Sequence, residues 1–87
     1  MDEDRINSFK EKLDQHYAWP SLYIFKFIVP KSKEEELKKL FPAHEISERS
    51  SANGNYTSIT IQMMCPSSNF VIEVYQKVAD IEGLIAL

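Results

Sequence analysis

The run over residues 55–64, NYTSITIQMM, constrains the fold more than any other stretch of the chain. Ile59, Ile61 and Met63 fall on alternate positions, with Tyr56, Ser58, Thr60 and Gln62 between them. Successive side chains of a β-strand point to opposite faces, so this pattern predicts a strand that is apolar on one face and mixed on the other. The preceding residues 51–55, SANGN, read as a hairpin tip. Asn53-Gly54 supplies positive φ at low cost, and the short amides of Asn53 and Asn55 tolerate left-handed backbone.

A second strand is predicted over 21–29, SLYIFKFIV, which is rich in aromatic and β-branched residues. Its lysine sets the phase. With Lys26 pointing outward, Tyr23, Phe25, Phe27 and Val29 point toward covering helices. Leu22, Ile24 and Ile28 then join Lys26 on the outer face. A sheet face that is half apolar and half polar calls for a cover. Either the N-terminal helix lies across it with Ile6, Phe9 and Leu13 down, or another protein chain does.

That N-terminal helix is expected from Ile6, Phe9, Leu13 and Tyr17, spaced by three or four, with charges on the other face. It should stop before Trp19-Pro20, because a residue preceding proline disfavours α backbone. A short charged helix is expected over 33–41, with Ser32 and Glu35 spaced as a capping box and Pro42 ending it. Residues 43–50, AHEISERS, read as an edge strand whose Glu45, Glu48 and Arg49 discourage indiscriminate pairing. A third helix over 67–79 shows a wide stripe of Phe70, Val71, Val74, Tyr75 and Val78, and 81–87 reads as a last short strand.

Without the first helix the order is strand, helix, strand, strand, helix, strand. This is the split βαβ pattern of a ferredoxin-like βαββαβ sandwich, an α+β fold. It predicts a four-stranded antiparallel sheet with two helices on one face, the two most apolar strands central, plus an extra N-terminal helix. The expected division is an amphipathic helix over 1–19 and the ferredoxin-like domain over 20–87. Eighty-seven residues with 44% hydrophobic and 26% charged side chains suit one globular domain.

Composition narrows the function. A net charge of −3 argues against a broad nucleic-acid footprint, which needs clustered Lys and Arg. The longest apolar stretch, 22–29, is eight residues and contains a lysine, too short for a bilayer. An acidic start with no apolar signal run, together with a lone cysteine, points to a reducing cytoplasm. Cys65 has no recognisable base beside it in the sequence, and His16 and His44 share no metal-ligand spacing, so neither a catalytic thiol nor a zinc site is expected. The mixed-sign run over 31–39 reads as a solvated, ion-paired helix face. The chain has no CxxC for a metallochaperone, too few cysteines for an iron–sulfur cluster and no glycine-rich phosphate loop.

The segment SANGNYTSITI, with Gly54, Asn55, Tyr56 and Ser58, and the later EVYQKVADI resemble the YbeD family of small bacterial proteins with an ACT-like domain. The resemblance covers roughly residues 21–87 and leaves out the N-terminal helix. Asn53 stands where that family carries a lysine, and the final LIAL lacks a basic residue, which weakens any anion-binding role there. The resemblance implies regulation or ligand sensing and brings no catalytic residues.

The chain is therefore expected to be a non-enzymatic regulatory or adaptor module, without cofactor or metal. It would bind another protein or a second copy of itself, as a homodimer, through the open face or an edge strand. The contact residues would be Lys26, Asn55, Tyr56, Ser58, Thr60 and Gln62. The alternative is an ACT-type small-molecule sensor, with a ligand near residues 30–33 and the adjoining helix.

Overall fold

The computed structural model describes residues 3–42, 44–51 and 53–87. It is an α+β structure with a four-stranded antiparallel sheet and three helices. The sheet holds β1 (Ser21–Pro30), β2 (Glu45–Ser50), β3 (Tyr56–Cys65) and β4 (Ile85–Ala86) in the order β2-β3-β1-β4. β1 and β3 are central, as their apolar content predicts, and β2 lies at an edge. β1 pairs with β3 along its whole length, with Phe25 opposite Ile61, Lys26 opposite Thr60 and Phe27 opposite Ile59.

The sheet has the predicted sidedness. Phe25, Phe27, Val29, Ile59 and Ile61 are fully buried. They face α2 (Glu34–Lys38) and α3 (Ser68–Val78), whose Leu37, Val71, Val74 and Val78 join the same core. Ser67 caps α3 by accepting the Phe70 N–H at 3.3 Å, so one otherwise orphaned donor of the first turn is satisfied. Thr57 is buried although polar, and its hydroxyl donates to Glu34, which ties β3 to α2.

Three local expectations change. Ser32 lies inside a 3-10 turn (Lys31–Lys33), so α2 begins only at Glu34, is capped by no side chain, and the capping box does not form. Among the described residues of the hairpin Gly54 alone takes positive φ, at +74°. Asn53 acts through its side chain instead, whose Oδ1 accepts the Ser51 hydroxyl and the Asn55 N–H. The last strand is only two residues long. Ile81 is buried in the core and Gly83 turns at φ +80°, so the chain reaches the sheet late.

The largest difference concerns α1 (Glu3–His16). It does not lie across the open face. It packs beside α3 in the helical layer, with Leu13 buried and Phe9 5.7 Å from Tyr75 between ring centres. The cause is the short β4, which pairs β1 only at Phe27 and Ile28. Tyr23 and Phe25 would otherwise form an uncovered aromatic edge with Tyr75. The stripe of Ile6, Phe9, Leu13 and Tyr17 covers it, and full burial of a side chain such as Leu13 contributes about 1.5–3 kcal/mol. The Tyr23 and Tyr75 hydroxyls meet at 3.1 Å, satisfying the polar tips within this cluster. Stacked Tyr17 and Trp19 close the joint, and the Trp19 indole N–H donates to Asp14 at 2.9 Å.

Candidate functional site

The face of the sheet away from the helices carries no covering element among the described residues. Its composition follows from the strand register. β1 contributes Leu22, Ile24, Lys26 and Ile28, and β3 contributes Met64, Gln62, Thr60, Ser58 and Tyr56 opposite them or Pro30. β2 adds Glu45, Ser47 and Arg49, opposite Gln62, Thr60 and Ser58. From β4 come Ile85, opposite Ile28, and Leu87, whose N–H donates to the Lys26 C=O at 2.9 Å.

Among the described residues the exposed large hydrophobic side chains are Leu22, Ile24, Tyr56, Met64, Ile85 and Leu87, and by strand register all six fall on this face, with Leu87 at its edge, where it also borders a groove on the helix side. Met64 is 63% exposed, while its neighbour Met63, on the helix side, is 3% exposed. Soluble domains scatter exposed apolar residues singly, so their confinement to one face is informative.

Beside the apolar strip lies a shallow depression of about 360 Å³, bordered by Lys26, Ser47, Glu48, Arg49, Ser58, Thr60 and Leu87, with the Glu48 carboxylate engaged by Lys38 at 2.8 Å. Neither Lys26 nor Arg49 forms an ion pair among the described residues. Their charges and three hydroxyls converge where an anion or a carboxylate could be held.

The register thus brings Lys26, Ser58, Thr60 and Gln62 together, with Tyr56 at one end of the same face. Asn55 stands apart at the exposed hairpin tip, where its C=O accepts the Lys31 N–H at 3.0 Å. Residue patterning alone does not single out Ser47 and Arg49, because their place depends on how β2 registers on β3. Met64 continues the parity of Ser58 and Gln62 and was open to that inference.

The remaining candidate chemistry is structural. Cys65 is fully buried, its thiol donates to the Met63 C=O at 3.7 Å, and burial pushes its pKa up, away from thiolate reactivity. His44 packs edge-on against Phe41. No group of three or more His, Cys, Asp or Glu among the described residues is arranged to hold a metal ion. No helix among them is long and apolar enough to cross a membrane. The charged run forms Lys33–Glu36 and Lys38–Glu35 pairs at i,i+3, and Lys38 also reaches Glu48 on β2 at 2.8 Å.

The molecule is thus a small α+β domain with a helix-covered sheet and one bare face. Residues 14–87 match the family described as a protein of unknown function, DUF493, and the chain belongs to that family, which includes YbeD. The match begins inside α1 and takes in Leu13's neighbour Asp14 but not Phe9. No curated protein and no solved structure matches the chain.

Proposed function

We infer that this protein is a non-enzymatic adaptor or regulatory module of ferredoxin-like, ACT-like architecture that binds a protein surface through its open sheet face. The strand order with β1 and β3 central and helical connections on one side supports the architecture. The observation that carries the binding reading is the gathering of all six exposed large hydrophobics on the bare face. A partner covering it would remove Leu22, Ile24, Met64, Ile85 and Leu87 from water, with Lys26 and Arg49 at the polar side to fix orientation.

The test places a photo-crosslinking amino acid at Ile24 or Met64 in living cells, with Glu73 on the exposed side of α3 as control. Protein adducts should form at the first two positions and not at Glu73. Adducts that form equally at all three, or at none, oppose the reading.

A small-molecule sensor is the second reading, favoured by the depression between Lys26 and Arg49. It suits a phosphate or carboxylate compound better than the site near residues 30–33. There Pro30 packs close against Gly83, and Lys31 is bonded to Asn55. A thermal-shift series with inorganic phosphate and simple dicarboxylates checks it, because a ligand well above its Kd must raise Tm. Loss of any shift in an Arg49→Ala variant locates the site.

A further inference from the structure

β1 is ten residues long, yet β4 covers its outer edge only at Phe27 and Ile28, with a last bond at Lys26. Among the described residues no strand pairs with the edge over 21–25, which leaves a lane about 17 Å long at ~3.4 Å per residue. Its hydrogen-bonding pattern follows from one observed bond. The Leu87 N–H donates to the Lys26 C=O, so Lys26 directs its backbone groups toward β4. Direction alternates along an antiparallel strand, so Ile24 and Leu22 direct theirs into the lane. Among the described residues the Leu22 C=O accepts the Ser21 hydroxyl, at 3.4 Å, and no backbone N–H from the lane. No backbone group among the described residues pairs with Ile24 from that side.

A groove of about 410 Å³ opens at the same place, walled by Phe9, Tyr23, Tyr75, Ala86 and Leu87. Phe27 and Ala86 are opposite each other and both face the helical layer. In the same register, a strand continuing β4's path would set its first residue opposite Phe25, with its side chain aimed into this groove. Its second residue, opposite Ile24, would exchange two backbone hydrogen bonds with it and lie on the open face beside the half-exposed Ile24 side chain. Unfilled donors and acceptors thus coincide in register with an apolar socket for the adjoining side chain.

We propose that the open edge of β1 is a strand-addition site for an extended peptide segment of a partner protein. The segment runs antiparallel to β1, with a large apolar side chain opposite Phe25. This mode draws affinity from main-chain pairing and selectivity from the socket. A second copy fits the lane poorly. If two β1 edges paired about Tyr23, Pro20 of the copy would fall beside Lys26, where Leu87 already sits. A free peptide has no such obstacle. One wall of the socket, Phe9, lies outside residues 14–87, so the site depends on this chain's own first helix. The proposal is independent of what occupies the open face.

The experiment titrates the isotope-labelled full chain with acetyl-Leu-Thr-Val-Thr-Lys-amide, followed by amide NMR. The amides of Leu22 and Ile24 should shift and become protected from exchange. The same peptide N-methylated at its first threonine lacks the N–H that pairs with the Ile24 C=O, and should bind about tenfold more weakly or worse. Phe9→Ala should weaken the unmodified peptide while leaving the sheet's amide pattern native. Absence of binding at millimolar peptide, equal affinity for the methylated form, or shifts confined to Thr60 and Gln62 would each overturn the proposal. So would Ile24 protection that rises with protein concentration when no peptide is present, which would mean that two copies pair.

Discussion

Ile24 and Phe25 are neighbours in sequence on opposite faces of one strand, and truncating each to alanine measures the sidedness of the sheet. Phe25 is fully buried and touches the rings of Tyr23, Phe27 and Tyr75. Phe25→Ala removes that ring and leaves a cavity, a change that costs about 3–5 kcal/mol. A domain of this size has roughly 4–13 kcal/mol in total, so the loss takes a large share of it. At ~4–8 °C per kcal/mol, Tm should fall by roughly 12–40 °C. Ile24 is 49% exposed. About half of its 1.5–3 kcal/mol burial term is already forgone to water, so Ile24→Ala should cost about 1.5 kcal/mol or less. Urea unfolding followed by far-UV circular dichroism gives both values, with an unchanged m confirming that the comparison is two-state. Phe25→Leu, which keeps the site apolar, serves if the alanine variant does not fold. Comparable losses at Ile24 and Phe25, or a larger one at Ile24, would refute the placement of the helices.

Three further outcomes follow from local features. Gly54 and Gly83 both have positive φ, so alanine at either should cost about 1–2 kcal/mol in backbone strain. At Gly83 the added Cβ would also lie 2.7 Å from the Pro30 ring, whereas at Gly54 nothing lies within 4 Å. Gly83→Ala should therefore exceed Gly54→Ala by about 1–3 kcal/mol in urea unfolding, and equal losses would contradict the packing of Pro30. Hydrogen bonds from Ser68 and then Trp19, with the nearby Lys10 charge, hold Asp14 below its usual value of 3.8. Its contribution to stability is present above 3.8 and is lost as pH falls through the lower folded value. Fluorescence of Trp19, the single tryptophan, should show an acid step with its midpoint below 3.8 that disappears in Asp14→Asn; a step unaffected by that substitution would contradict the pairing. The buried Cys65 thiol should react with Ellman's reagent only as the protein unfolds, and rapid labelling of native protein would show the core to be open at β3.

What could be read from the sequence was local in origin. Alternation along β3 and the lysine in β1 fixed both faces of the central pair, because a period of two needs no knowledge of neighbours. The scarcity of apolar residues in β2, where only Ile46 is strongly apolar, marked it as an edge, and the charges of Glu45, Glu48 and Arg49 suit an edge because they discourage indiscriminate pairing. What was not legible depended on distant lengths and registers. The short β4 follows from the turn at Gly83, and it determines where the apolar stripe of α1 finds cover. That Lys26 and Arg49 border one depression depends on the offset of β2 against β3. Asn55 was read as part of the contact surface from its place in the turn, and its backbone C=O also ties that turn to the start of the 3-10 turn, a link that sequence alone does not show.

Met63 and Met64 allow a direct measurement of whether the bare face is bound in the cell, because they differ in exposure, 3% against 63%, and in little else. Sulfoxide formation tracks access to solvent. Brief peroxide treatment of purified, dilute protein should oxidise Met64 and spare Met63. In intact cells producing the protein at its natural level, a bound partner should protect Met64 as well, and mass spectrometry of the peptide containing both residues reads the difference. Met64 oxidised as fast in cells as in dilute solution would mean that nothing covers the face.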